Sequence, residues 1–423
     1  MKWCREQVHA ALDRSNSTTT TAVSVALLAD GHVVWNEAFG YKDREKGIPA
    51  TPETCFNIGS VSKVVTALAV MILRDRGKLE LDQPLVDPLP TFRMLSSAFT
   101  RVTVRHLLSH ASGFPGNNMR DNGAFTPYLG YARNTQNALA ASHLKHEPGE
   151  LAVYCNDGFT MIEPLAQAVD GRTFPEFVQQ EIFDPLDMRS SGYPAKLSAD
   201  GTYIHPYFQG RTLSQEMSTP FSTGGIFSTP SDLMKFAQML IDQGIYKGRR
   251  LVSASAIQEM ATDQSVRTVI NPAAESWKWG LGWDSVQQAD MNAAGLRAWR
   301  KNGGTFFFSS EFFVLPELRM AMLITGSGQD YEPLKIAEGL LLRAAFAKGA
   351  IPELSGAISP VPAPSHPCKW WPKAMVRSHC AVGTEPNGWS STTAFARASM
   401  ATGRPMAVPW CAIGSRQWGS VTT

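Results

Sequence analysis

The chain has 423 residues, 43% hydrophobic and 18% charged, with a net charge of only +2. A core of that size needs no disulfide or metal staple, and so small a net charge gives no global field for nucleic acid or an anionic surface. The composition is that of a globular enzyme of one large or two closely joined domains.

In chain order, "MKWCREQVHAALDR" predicts a charged amphipathic helix with no apolar h-region, so no signal peptide is read there. "AVSVALLADGHVVWNEAFGYKD" predicts two strands joined at Asp30-Gly31, a strong hairpin signal. "CFNIGSVSKVVTALAVMIL" follows and predicts a buried helix with Ser60 and Lys63 at its head. Its apolar run, residues 64–73, is too short for a bilayer, which takes roughly 20 residues. Gly77 suits the C-cap, with Arg74 and Arg76 in the last turn. Residues from about 82 to 207 read as a loop-rich insertion with short helices, among them "TVRHLLSHASGFPG" and "RTFPEFVQQEIFDPL". "STPSDLMKFAQMLIDQG" predicts a helix capped by Ser231 and closed by Gly244. "RAWRKNGGTFFFSSEFFVLPELRMAMLITGSG" predicts three strands with turns at Asn302–Gly304 and Pro316-Glu317, and a last helix covers about 333–348. Strands at both ends with helices between predict an α/β domain over 1–355, one sheet with a helical insertion.

Residues 361–423 differ in character. They hold six basic residues (Lys369, Lys373, Arg377, Arg397, Arg404, Arg416) against Glu385, so a tail of +5 follows a body of −3. Five of the chain's eleven tryptophans lie there, with no leucine and one isoleucine. Such a segment lacks the aliphatic residues of a core and reads as a disordered or non-native tail, such as an out-of-frame read-through. The other reading is a basic, aromatic arm for a polyanion. Cys4, Cys55, Cys155, Cys368, Cys380 and Cys411 form no close pairs, which suggests reduced thiols and a cytoplasmic setting.

Ser-x-x-Lys alone is a weak signal, and a second copy stands at Ser142–Lys145. Context separates the two: Ser60 follows Gly59 and opens an apolar helix, whereas Ser142 lies in the polar "AASHLKHEPGE". Residues i and i+3 of a helix share a face, so the Lys63 amine can lie beside the Ser60 hydroxyl. A serine needs a base to become nucleophilic. A lysine half-buried in an apolar helix loses part of its preference for the charged form. The helix N-terminus adds free N–H groups where an oxyanion would form. Against this stands a plain capping serine with a surface lysine. Tyr154-Cys155-Asn156 in "PGELAVYCNDG" can aim a phenol and an amide at one site. The rival reading is a buried tyrosine with a satisfied hydroxyl. Lys301-Asn302-Gly303 leads a strand where glycine lets a ligand approach the backbone. A rival Lys-x-Gly lies at Lys278-Trp279-Gly280. His106 and His110 have the spacing of a zinc pair but lack an intervening Glu and a third ligand; they are read as scaffold residues, and neither metal nor cofactor is expected. Trp277, Trp279 and Trp283 are read as either the rim of the site or core.

Taken together, Ser-x-x-Lys, Tyr-x-Asn and Lys-x-Gly in this order resemble the motifs of the penicillin-recognising serine hydrolases. The pattern is most similar to the class C β-lactamase-related group, which includes D-alanyl-D-alanine carboxypeptidases, D-aminopeptidases and carboxylesterases. "TVRHLLSHASGFPG", "IFDPLDMRSSGY", "STGGIFSTPSDLMKFAQML" and "WKWGLGWD" resemble scaffold segments of that family, so the likeness extends over about residues 5–347. It implies a β-lactamase/transpeptidase-like fold, an antiparallel sheet flanked by helices. It also implies roles. Ser60 attacks a carbonyl and is acylated, and Lys63 and Tyr154 move protons, either being the base. Asn156 holds the substrate amide and Lys63, while Lys301, Asn302, Gly303 and Gly304 bind substrate. The N–H groups of Ser60 and Gly304 form the oxyanion hole. The glutamate of class A enzymes has no counterpart.

Two departures bear on substrate. Asparagine at 302 replaces the usual threonine, and Cys155 replaces a usual serine, a weaker hydrogen-bond donor; Cys155 reads as a buried spacer more readily than as a reactive thiol. Lys301 beside Arg300 retains positive charge for a substrate carboxylate. The sequence therefore predicts a serine hydrolase cleaving an amide, peptide or β-lactam, in a small carboxylate-bearing molecule. The alternatives are a carboxylesterase on short acyl esters, and an acylated sensor or silent scaffold.

Overall fold

The hairpin signal is realised by strands β1 (Ala22–Ala29) and β2 (His32–Asp43). Asp30 and Gly31 between them take φ of 51° and 84°, the left-handed pair of a type I′ turn, whose twist matches that of the strands. A short strand β3 (Ile48–Pro49) edges β2. The other half of the sheet comes from the far end of the chain: β4 (Trp299–Gly304), β5 (Phe308–Leu315) and β6 (Met320–Ser327). The six strands run in the order β4-β5-β6-β1-β2-β3, with antiparallel neighbours throughout. This computed structural model describes residues 1–14, 19–118, 122–126, 128–194, 201–270, 278–328 and 331–352. They belong to one unit, Met1–Ser359, while the unit Pro360–Thr423, and with it the predicted tail 361–423, lies outside the described residues, as does Trp277.

Both faces of the sheet are covered, and that explains why β5 and β6 are buried along their whole length. Val23, Val25, Leu27, Met322 and Ile324 turn to one face, against helix α1 (Lys2–Arg14) and the closing helix. Ala26, Leu28, Phe312, Val314 and Leu323 turn to the other. There they meet helix α2 (Ser62–Asp75) and helix α3 (Pro230–Ile241). The closing helix is α4 (Pro333–Ala347), beginning at the predicted proline. Residues 62–73 of α2 are all buried, as expected of a helix apolar on every side. Its C-terminus is closed by Gly77 at φ 66°, with Gly77 N–H bonded to Arg74 O and Lys78 N–H to Leu73 O, the pattern of a Schellman cap.

Three local expectations change. The cap of α3 is Thr229, whose hydroxyl accepts from Asp232 N–H, with Pro230 in the first turn; Ser231 is one position too late, since proline prefers the first helical position. Gly244 follows this helix as predicted, but Gln243 also takes a left-handed φ of 53°. Asn302, Gly303 and Gly304 lie within β4, paired with Glu311, Ser310 and Ser309, and the turn falls after them. The glycines there serve close backbone approach and not a turn. The segment between α2 and α3 carries the short helices Val104–Leu108, Tyr131–Ala140, Asn156–Thr160, Ile162–Asp170, Phe174–Val178 and Phe221–Gly224. Among the described residues no helix is long and apolar enough to cross a membrane. Cys4, Cys55 and Cys155 are buried.

Candidate active site

The site begins at the N-terminus of α2. Ser60 sits in a 3₁₀ turn, Gly59–Val61, just ahead of the helix instead of opening it. Three contacts shape that turn. Asn57 Oδ1 accepts Gly59 N–H at 2.7 Å, and Ser62 Oγ donates to Gly59 O at 2.7 Å while accepting from Ile226 N–H at 3.2 Å. Gly59 has φ 53°, and a Cβ there would lie 2.8 Å from Gly304 N. A Cβ on Gly303 would lie 2.0 Å from Ile58 O and 3.2 Å from Ser60 N. Only glycine on both sides lets the turn and β4 approach so closely. A Cβ on Gly304 meets open space.

Lys63 is fully buried, and its Nζ donates to Ser60 Oγ at 2.9 Å and to Thr223 O at 2.8 Å. Ser60 itself is partly exposed. Burial, then the charge of Lys301, holds the Lys63 amine well below its ordinary value, with Asp284 opposing. Thr223 belongs to the short helix Phe221–Gly224, which is tied down by Glu163: its Oε1 accepts from Ser222 N–H and Oγ, both at 3.0 Å. Burial pushes Glu163 up to about 7.

Burial pushes the Tyr154 phenol upward, against the pull of the Lys301 charge, with the nearby Ser60 hydroxyl a lesser lowering influence. Its ring is backed by His110, stacked at 4.4 Å between centroids, and by Trp279 at 6.1 Å. His110 Nδ1 accepts Cys155 N–H at 3.1 Å, whereas His106 Nδ1 accepts Thr103 N–H at 3.2 Å; the two histidines serve different segments. Cys155 is buried, and its thiol is pushed up to about 11 by desolvation, which leaves no thiolate at neutral pH. Asn156 starts the helix Asn156–Thr160, and its Oδ1 is buried without a hydrogen-bond partner. The expected bond from Asn156 to Lys63 is absent among the described residues; the carbonyl of Thr223 takes that place.

Lys301 is fully buried in β4. Its Nζ donates to Asp284 Oδ1 at 2.8 Å and Asn302 O at 2.8 Å, with Asn302 Oδ1 at 3.3 Å and Tyr154 Oη at 3.5 Å. Burial opposes its charge, but Asp284 and Tyr154 outweigh burial and hold it above the ordinary lysine value. Arg300 is paired in turn with Glu311, through two contacts of 2.9 Å. The positive charge expected at Lys301 and Arg300 is therefore matched internally by two carboxylates.

The structure thus brings together the hydrogen-bonded pairs Lys63–Ser60 and Lys301–Tyr154, with Lys63 Nζ 5.1 Å from the centre of the Tyr154 ring, Gly303 and Gly304 packed on the nucleophile turn, and Asn302 exposed on β4. The rival motifs play other parts, and Lys278-Trp279-Gly280 meets the site through the Trp279 ring behind Tyr154. Ser142 spends its hydroxyl on Ala138 O at 2.7 Å. A Cβ on Gly280 would meet Met260 O, Val286 and the Trp283 ring. Trp283 is core, stacked on Phe312 at 5.7 Å. Sequence reasoning missed Thr223, Glu163 and Asp284. Thr223 acts through its carbonyl, which leaves no side-chain signal. Glu311 was legible in principle, as a lone acid in the apolar run "FFFSSEFFVL" that demands a partner.

The Beta-lactamase family model matches residues 10–345. Penicillin-binding protein 4 of Amycolatopsis lactamdurans is 28% identical over 291 residues, 64% of this chain and 72% of that protein. A Bacillus subtilis relative, 28% identical over 232 residues, is spanned over 55% of its length, and Protein flp of Staphylococcus aureus over 34%. Among solved structures, the octameric penicillin-binding protein homologue from Pyrococcus abyssi aligns with a TM-score of 0.65 at 25% identity, covering 82% of this chain and 77% of that one. A class C beta-lactamase aligns with a TM-score of 0.65 at 19% identity, covering 80% and 96%. The fold is β-lactamase/transpeptidase-like.

Proposed function

The chain belongs to the Beta-lactamase family, and within it we propose a serine hydrolase that works through an acyl-enzyme at Ser60. One observation carries this reading. A buried amine, held well below its ordinary pKa, donates to the hydroxyl of a partly exposed serine at 2.9 Å. Lys63 in its neutral form is the base that takes the Ser60 proton as Oγ bonds to the substrate carbonyl carbon. Tyr154, kept protonated, supplies a proton to the leaving group as its bond to carbon breaks, and the proton that Lys63 took passes to the Tyr154 oxygen, restoring the phenol and the neutral amine. A water then repeats the sequence to release the acid. The N–H groups of Ser60 and Gly304 receive the oxyanion, a role supported by the glycine contacts between the turn and β4. Asn156, with a free buried oxygen, and Asn302 face the substrate.

The sequence-based preference for a carboxylate-bearing amide rested on a free charge at Lys301. Asp284 removes that reason, so cleavage of an uncharged acyl ester, the carboxylesterase reading, gains from the structure. Incubation of the protein and Ser60→Ala with a chromogenic cephalosporin and a p-nitrophenyl ester, followed by colour and intact mass, tests the proposal. Turnover is expected to fall about a thousandfold or more in the variant. Turnover unchanged in Ser60→Ala would overturn the assignment of the nucleophile. A persistent adduct without turnover would favour the sensor.

A further inference from the structure

Resting on the acyl-serine reading above, the geometry points to Asp284 as the residue that sets the charge selection of this site: by occupying Lys301 it makes the site favour substrates with no carboxylate beside the scissile bond. An ammonium has three N–H donors and no more. At Lys301 one goes to Asp284 Oδ1, one to Asn302 O, and the third is shared by Asn302 Oδ1 and Tyr154 Oη. No donor is left for a substrate anion, and the side chain is fully buried. The second oxygen of Asp284 accepts Asn302 N–H at 2.9 Å, so one carboxylate fixes both the side chain and the backbone of the motif. The neighbouring cation is paired as well: the Nε and one terminal nitrogen of Arg300 bind the two oxygens of Glu311, a pair that uses two of its five N–H donors. Two basic side chains thus face two carboxyl groups.

The surroundings agree. Two and three residues beyond Gly304, Phe306 is 53% exposed and the Phe307 ring lies 6.1 Å from that of Phe125. Aromatic rings thus follow the oxyanion side, and beside them stands an acid and not a base: a Cβ on Gly123 would lie 3.4 Å from Glu216 Oε1 and 3.9 Å from the Phe306 ring. A carboxylate placed there would receive no hydrogen bond from Lys301, whose three donors are engaged. Asp284 touches no reacting atom; it acts as a positioning residue through Lys301.

The test compares p-nitrophenyl butyrate with p-nitrophenyl hemisuccinate, matched esters that differ in a terminal carboxylate. In the wild-type protein kcat/KM should favour butyrate by about tenfold or more, and the hemisuccinate value should be flat with ionic strength. Asp284→Asn frees Lys301, narrows the ratio by about tenfold, and makes hemisuccinate turnover fall with added salt. Wild-type preference for hemisuccinate, or a salt-sensitive wild-type value for it, overturns the inference whether or not the variant folds. An unchanged ratio in a folded Asp284→Asn, judged by its melting curve, does the same. No turnover of either ester together with no mass adduct on Ser60 overturns the acyl-serine reading and this inference with it. Turnover with the wrong selectivity overturns this inference alone.

Discussion

Lys63 and Lys301 lie in one site with opposite protonation demands, and their partners explain the difference. Lys63 has only neutral oxygens, Ser60 Oγ and Thr223 O, as acceptors, so burial wins and the amine gives up its proton readily. Lys301 has a carboxylate at 2.8 Å, which outweighs the same burial. The acylation rate should therefore rise with pH as Lys63 loses its proton, then stay level far into the alkaline range while Tyr154 and Lys301 keep theirs. A stopped-flow pH profile that is flat on the acid side would count against Lys63 as base. Stability offers an independent check. The unfolded lysine binds a proton up to its ordinary pKa and the folded one does not, so folding becomes more favourable as pH rises between the two values. Lys63→Met removes that dependence. Relative to wild type, the variant should gain about 1.4 kcal/mol per pH unit as pH is lowered from 10 through this window, measured by denaturant unfolding at several pH values.

At the scale of elements, the contact between the nucleophile turn and β4 decides whether the residues meet. Periodicity predicted α2, β1, β2, β5 and β6, because a helix or strand with buried neighbours writes its period into the chain. It placed a turn at Asn302–Gly304, because glycine marks turns and close approaches alike. The two glycines separate these roles. Gly303→Ala would drive a methyl into Ile58 O and should destabilise by about 1–3 kcal/mol, with kcat/KM falling about a hundredfold as Ser60 shifts. Gly304→Ala meets open space and should leave the melting temperature unchanged. Equal melting temperatures for the two variants would show that the turn is not held by this contact. The cap of α3 is a simpler case: Thr229→Ala should cost about 1 kcal/mol and Ser231→Ala little, read from thermal unfolding.

At the scale of the whole molecule, the family match ends at residue 345 and α4 ends at Ala347, ahead of the segment that the sequence set apart by its composition. Deleting 361–423 should leave ester turnover and the melting temperature as they are; a large loss of either would give that segment a structural or binding role. The chain by itself determined the order of strands and helices and the buried helix behind Ser60. It also picked out the three motifs in their order, since each depends on residues close together in sequence. Only the tertiary structure decided what those motifs are worth. Asp284 reaches Lys301 across 17 residues, Glu311 reaches Arg300 across a strand pair, and Thr223 reaches Lys63 across 160. Charge is neutralised by whichever group the fold brings within about 3 Å, and a carbonyl that holds a lysine has no letter in the sequence. A basic pair that reads as an anchor for anions is, once folded, two internal ion pairs.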